Sequence, residues 1–404
     1  MSTSLLYHGF GIRGYQYERT EYQEGKVIFG LSRDPERLRC PCCGSDRVIR
    51  KGCLRRRLHC VPIGCRPVML DVPVQRIHCR DCGALKQAAT GLADERRSYT
   101  RSFERYVLEL LRHMTMLDVA RHLEVSWGLV KDIQKRNLKR RFGQPGLKGL
   151  ELIAIDEISI GRQHQYLTVV LDLKTGAVVH VGDGRGASAL EPFWQQIERQ
   201  GVRLKAIAID MSPAYYAAVR ENQPQAEVVF DHFHVIKLYN EKLSDLRRDL
   251  YREAQGPLEK KVLKGTRWLL LKNREKLATS ARDTASLDEA LKLNIPLALA
   301  YYMKEYLRLI WKQDDKAAAA EIMDDWIARA SSSGVRMLVN FARTLQTHRR
   351  GILAYYDFPI STGPLEGTNN KIKTLQKQAY GFRDREFFKL KIYALHEARY
   401  ALVG

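Results

Sequence analysis

The hydrophobic period changes several times along the chain. Residues 1–34 mix short apolar runs with charge and predict a helix and a hairpin. Residues 35–94 alternate with a period of two, as in "PVMLDVPVQRIHC", and predict short strands. Beyond residue 95 the spacing becomes helical. "MTMLDVARHLEVSWGLVKDIQKRNLKRRF" reads as two helices about a short turn. Leu117, Ala120 and Leu123 mark the first apolar face, Ser126 caps the second helix, and Leu129, Val130 and Ile133 pack back. The loop "GQPGLKG" ends this stretch.

From residue 149 alternation returns. "LELIAIDEISIG", "QYLTVVLDLKTG" and "AVVHVGDG" predict three strands joined as successive hairpins at Gly161 and "KTG". "SALEPFWQQIERQG" is an amphipathic helix, capped by Ser188 and ended by Gly201. "LKAIAID", "SPAYYAAVRENQ" and "AEVVFD" then supply strand, helix and strand. Three antiparallel strands followed by alternating helix and strand describe a ribonuclease H-like core. Residues 232–360 read as helix throughout, with Trp268 and Trp311 as core positions. The expected chain is therefore multidomain α/β. An N-terminal segment (1–34), a zinc-binding domain (35–94) and a helix-turn-helix (95–148) precede the core (149–231). An all-α insertion (232–360) interrupts that core, which residues 361–404 complete.

Composition narrows the partner. Apolar residues make up 45% and charged residues 28%, a globular balance, and the net charge of +21 calls for a polyanion. No apolar run reaches the roughly 18 residues of a membrane span, and the start lacks a basic segment followed by a long apolar one. Nucleic acid is thus favoured over a membrane, and a cytoplasmic, nucleoid-associated protein is expected.

The eight cysteines of such a chain read as metal ligands or plain thiols. Cys40-x2-Cys43 and Cys79-x2-Cys82 form two knuckles, each followed directly by glycine, and together they suit one structural zinc ion. Cys42, Cys53, Cys60 and Cys65 lack such a pattern. Arg55, Arg56 and Arg57 lie between the knuckles as candidate phosphate contacts. In the helix-turn-helix, Trp127, Lys131, Gln134 and Lys135 are the second-helix positions expected to meet a major groove, with Lys139, Arg140 and Arg141 continuing onto phosphates.

Acids mark the strand ends. Asp156 lies within the first core strand, Asp210 ends the fourth and Asp231 ends the fifth. The first and fourth strands are neighbours in this topology, so Asp156 and Asp210 would project side by side. Glu366 opens the late helix "STGPLEGTNNKIK", where Thr362 or Gly363 can cap and Pro364 suits the first position. Paired carboxylates need a cation, and three of them can hold two Mg2+ or Mn2+ ions for phosphoryl transfer. Glu157, next to Asp156, should face the other way.

At these residues the chain resembles the ISL-three family of bacterial insertion-sequence transposases. The likeness runs nearly end to end, through "AIDE", "AIDMSPAY", "FDHFHVIK", "GTRWLLLKN" and "GPLEGTNNKIKTLQKQAYGFR". It implies a DDE transposase with Asp156, Asp210 and Glu366 as its triad, and a helical insertion opened by Asp231 and His234. Its expected partners are the element's inverted repeats, target DNA and a second copy of itself, with no nucleotide cofactor. The competing expectation is a zinc-containing DNA-binding regulator derived from a transposase that no longer cleaves.

Overall fold

A computed structural model describes residues 5–34, 38–161, 165–266, 268–272 and 281–397. The chain divides into two compact units, residues 1–143 and 144–397.

The first unit begins with helix α1 (Leu5–Phe10) and the hairpin β1 (Tyr15–Gln23) and β2 (Lys26–Arg33), which turns at Glu24 and Gly25, both at positive φ. Two long strands, β3 (Val48–Ile63) and β4 (Arg66–Cys79), follow with a short β5 (Leu85–Gln87). They join the hairpin in one sheet of order β1-β2-β4-β3, with β5 against β4. Leu31, Leu58, Val68, Leu70 and Val72 fill its core. Three helices close the unit: α2 (Arg101–Leu110), α3 (Met116–His122) and α4 (Trp127–Phe142). The Ser126 hydroxyl caps α4, accepting from the Leu129 amide at 3.2 Å. The apolar face of α3 is carried by Val119, Ala120 and Leu123, whereas Leu117 is 46% exposed. Leu117 is next to the helix start, one position out of phase with the stripe that packs on Val130 and Ile133.

The second unit is built on a five-stranded sheet of order β10-β9-β6-β7-β8. β6 (Leu152–Ser159), β7 (Tyr166–Asp172) and β8 (Val178–Asp183) are antiparallel; β9 (Ala206–Ile209) and β10 (Glu227–Phe230) add in parallel on the other side of β6. The expected turn at Gly161 runs on into residues outside those described. Helices α5 (Glu191–Arg199) and α6 (Pro213–Asn222) are the crossovers. Ser188 does not cap α5: it lies in a 3-10 turn, Ala187–Leu190, and no side chain caps the helix. That turn is held against β8, where His180 Nε2 meets the Ala189 carbonyl oxygen at 2.9 Å.

Helices then run from α7 (His232–Glu253) through α8 (Pro257–Gly265), α9 (Ala281–Leu293), α10 (Ile295–Leu307) and α11 (Lys316–Ser332) to α12 (Arg336–Leu353). One continuous core joins them to the sheet, from Ile153, Ile207 and Phe230 through Tyr239 and Tyr301 to Trp326 and Leu345. Gly351 lets α12 approach β10, since a Cβ there would lie 2.4 Å from the Phe230 ring. Trp311 packs on this core, but Trp268 is 65% exposed, against expectation. Buried Lys304 donates to the carbonyls of Leu270 (2.8 Å) and Lys272 (2.7 Å), pinning a turn that buries Leu269 and Leu270 and leaves Trp268 outward. Helices α13 (Gly363–Gln378) and α14 (Arg385–Tyr393) end the described chain. Among the described residues no helix is long and apolar enough to cross a membrane.

Candidate functional site

In the first unit the two knuckles adopt the same turn. The Gly44 amide donates to the Cys40 carbonyl at 2.9 Å and the Gly83 amide to the Cys79 carbonyl at 3.1 Å. Both glycines sit at positive φ, near +75° and +70°, where a side chain would strain the backbone. The Sγ atoms of Cys40 and Cys82 are 3.6 Å apart, as are those of Cys43 and Cys79, and all four lie within 4.8 Å of one another. A tetrahedral shell with bonds of about 2.3 Å has sulfur–sulfur edges of about 3.8 Å. The amides of Cys43 and Cys42 point at Cys40 Sγ and bring its thiol down to about 6, and the amides of Cys82 and Asp81 lower Cys79. Cys43 and Cys82, bonded to the other sulfurs, are raised in turn. This donor set is compatible with a zinc site. Of the remaining cysteines, Cys60 is buried and Cys42, Cys53 and Cys65 are exposed.

The arginines between the knuckles are tied into the fold. Arg55 Nε donates to Asp71 at 2.7 Å, and its Nη2 reaches the carbonyls of Asp71 (2.9 Å) and Leu31 (3.1 Å). Arg56 donates to the Arg97 carbonyl and Arg57 to Gln23, each at 2.9 Å. On α4, Trp127, Lys139, Arg140 and Arg141 are exposed, and Lys131 lies 5.5 Å from the centre of the Trp127 ring. Lys135 is half-buried. Gln134 is half-buried too, with its Oε1 fully covered, so it is not the exposed position expected of it.

In the second unit, strand alternation sorts the acids. Ile153, Ile155, Ile207, Ile209, Val228 and Phe230 turn toward the main core. The intervening positions, among them Leu152, Ala206 and Val229, form the other face. Asp156 within β6, and Asp210 and Asp231 directly after the last residues of β9 and β10, continue that second face. The β6–β9 register pairs Ala154 with Ala208, so two residues further on Asp156 comes level with Asp210. Ligands of open α/β sheets bind outside this end of the strands. Glu157 lies on the opposite face, where the Tyr215 hydroxyl donates to it at 2.7 Å.

Each acid is held differently. Burial pushes the Asp156 carboxyl above its usual range; the Glu157 amide and His234 oppose this, and the charges of Asp210 and Glu157 add to it. Asp210 accepts from the Ser212 amide at 3.0 Å. Asp231, 2% exposed, makes two attachments. Its Oδ1 caps α7 by accepting from the Phe233 amide at 2.7 Å, and its Oδ2 accepts from the Thr362 amide at 2.6 Å and from the Thr362 hydroxyl. Thr362 is the N-cap residue of α13, and its side chain serves Asp231 instead of that helix. The start of α7 and the start of α13, the helix carrying Glu366, are thus joined by one carboxylate.

Glu366 lies in the first turn of α13 and is exposed. Three residues later Asn369, 6% exposed, donates from Nδ2 to Asp156 Oδ2 at 2.9 Å. That bond ties α13 to Asp156. Among the described residues, only the four thiols form a group of three or more potential ligands within 4.8 Å of one another; the three acids do not gather that closely. Thr362 was legible in the sequence only as a candidate cap, and Asn369 does not stand out there. The one signal is spacing, since Asn369 is one helical turn after Glu366.

Comparison with known proteins identifies the family of the chain. A family profile described as "Transposase" matches residues 153–392, and another, "Helix-turn-helix domain of transposase family ISL3", matches residues 88–136. The transposase for insertion sequence element IS1001 of Bordetella parapertussis is 33% identical over 391 residues, which cover 95% of this chain and 96% of the relative. The transposase for insertion sequence element IS1557 of Mycobacterium tuberculosis is 26% identical over 401 residues, covering 92% and 89%. A solved Drosophila P element transposase strand transfer complex covers 65% of this chain and 80% of its own at 11% identity; its TM-score of 0.33 is too low to argue from. The chain belongs to the ISL3 family of insertion-sequence transposases.

Proposed function

We propose that the protein binds the inverted repeats of its own element, cuts there to free 3′-hydroxyls and joins those ends to target DNA, with Asp156, Asp210 and Glu366 as its acidic triad on a ribonuclease H-like core. The observation that carries this reading is the level placement of Asp156 and Asp210 on one face of adjacent parallel strands, with the Glu366 helix tied to Asp156 through Asn369. Two neighbouring carboxylates, one of them pushed up by burial and by the other's charge, are the donor set a hard cation fits. Two Mg2+ or Mn2+ ions held by the triad would supply activation of the attacking oxygen and stabilisation of the leaving 3′-oxygen.

The remaining parts position DNA. The exposed side chains of α4, Trp127 with Lys139, Arg140 and Arg141, and the half-buried Lys131 and Lys135, offer base and phosphate contacts. The zinc knuckles would keep the strands between them in register. Cleavage and joining are both transesterifications at phosphorus, so neither needs a nucleotide cofactor. Pairing two element ends calls for at least two copies on DNA, and chromosomal DNA places the protein at the nucleoid.

The test compares Glu366→Gln and Asp156→Asn with the parent on labelled element ends in Mg2+. Cleavage is expected to fall by about 100-fold or more, because charge developing at phosphorus loses its stabilisation. Gel-shift affinity for the same ends should hold. Near-normal cleavage by Glu366→Gln would give the third position to another acid.

A further inference from the structure

We propose that Asn369 belongs to the active site as both a positioning residue and a ligand: its amide nitrogen orients Asp156, and its amide oxygen is a neutral donor to the cation site. The proposal rests on the reading of Asp156 and Asp210 as metal ligands.

The geometry separates the two ends of the side chain. A carboxylate only accepts hydrogen bonds, so the nitrogen must face Asp156, as it does at 2.9 Å. The oxygen is then left over. It is fully covered and has no hydrogen-bond partner among the described residues. A buried amide oxygen without a partner costs stability, so a residue chosen for packing alone would be leucine or methionine at this position on α13. Leu365, Ile372 and Leu375, on the buried side of the same helix, are apolar. From the 2.9 Å bond and amide bond lengths, the orphaned oxygen lies within about 5.5 Å of Asp156 Oδ2. Side-chain carbonyls of asparagine are ordinary oxygen ligands for hard divalent cations.

Asn369 also accounts for how a helix whose acid is exposed can serve a site on the sheet. Glu366 points out from the first turn, whereas Asn369 reaches inward one turn later. Fixing Oδ2 of Asp156 sets the rotation of that carboxyl group and ties α13 to it. Groups that hold a metal ligand in this way alter metal affinity by about 10–100-fold when removed.

The experiment uses the zinc-loaded full chain and titrates it with Mn2+ alone, following free Mn2+ by electron paramagnetic resonance. Asn369→Leu keeps the volume and removes both polar atoms; its Mn2+ affinity is expected to fall at least 10-fold, with gel-shift affinity for element ends unchanged. Asn369→Asp replaces the donor by a second acceptor. In buffer without free divalent ions, the zinc left in place, its melting temperature should drop, and Mn2+ should restore it by more than the parent's rises. Asp156→Asn serves as the control. If it abolishes Mn2+ binding while Asn369→Leu binds Mn2+ as the parent does, the Asn369 assignment is overturned and the triad stands. If Asp156→Asn also binds Mn2+ normally, the metal-site reading itself fails. Should Asn369→Leu not fold, the Mn2+ recovery of Asn369→Asp decides alone, and equal recovery in variant and parent overturns the proposal.

Discussion

Replacing Asp231 by alanine removes three hydrogen bonds at once from a carboxylate that is 2% exposed. Loss of the α7 cap costs about 1 kcal/mol. The two bonds from Thr362 are made to a charged group and contribute about 1.5–3 kcal/mol each, and the Thr362 amide is left buried without a partner. These losses overlap, since all three bonds share one carboxylate, so the sum is discounted to about 3–5 kcal/mol. In a unit of this size each kcal/mol shifts the melting temperature by about 2–4 °C, so a drop on the order of 10 °C is expected. Asp231→Asn keeps one acceptor for the Phe233 amide but turns an NH2 toward the Thr362 amide, and should lose nearly as much. Thr362→Val removes only the hydroxyl bond and should cost about 1.5–3 kcal/mol, less than either Asp231 variant. The assay is urea unfolding of the full chain followed by tryptophan fluorescence, with cleavage of element ends measured alongside. Cleavage should fall in both Asp231 variants because the start of the Glu366 helix is no longer anchored. An Asp231→Asn protein within 1 kcal/mol of the parent would refute the clamp.

Two further predictions follow from the same geometry. Thiol titration of the zinc-loaded chain should proceed in steps. Cys42, Cys53 and Cys65 are exposed and react first; Cys40, Cys43, Cys79 and Cys82 follow when a chelator is added; Cys60, pushed up to about 11 by burial, reacts only on unfolding. Seven thiols reacting together without chelator would remove the zinc site. Glu151, bonded to Lys174 at 2.8 Å and Lys205 at 2.7 Å, is held down to about 2 by those hydrogen bonds. Its folded value lies below its unfolded value of about 4.3, so its contribution is present above that pH and is lost as pH falls toward 2. Glu151→Gln should therefore be less stable than the parent at pH 7, with the gap closing below about pH 4; a constant gap from pH 7 to pH 3 would contradict this.

What the sequence determined by itself was local. The Ser126 cap, the two cysteine knuckles with their glycines, the Glu24-Gly25 hairpin and the strand alternation that puts Asp156 and Glu157 on opposite faces all act over a few residues. Backbone sterics and hydrogen bonding settle such features before any long-range contact forms. The motifs and the family resemblance in the sequence also indicated an insertion-sequence transposase, the family that the comparisons show. Tertiary packing decided the rest. The α3 stripe shifted from Leu117 to Val119, Ser188 was drawn into a turn against β8, and Lys304 turned Trp268 outward. The bond from Arg55 to Asp71 joins β3 to β4 across 16 residues. The Asp231–Thr362 and Asp156–Asn369 bonds span 131 and 213 residues. No periodicity reports contacts at that range, because they exist only once a five-stranded sheet has brought strand ends and a distant helix to one place.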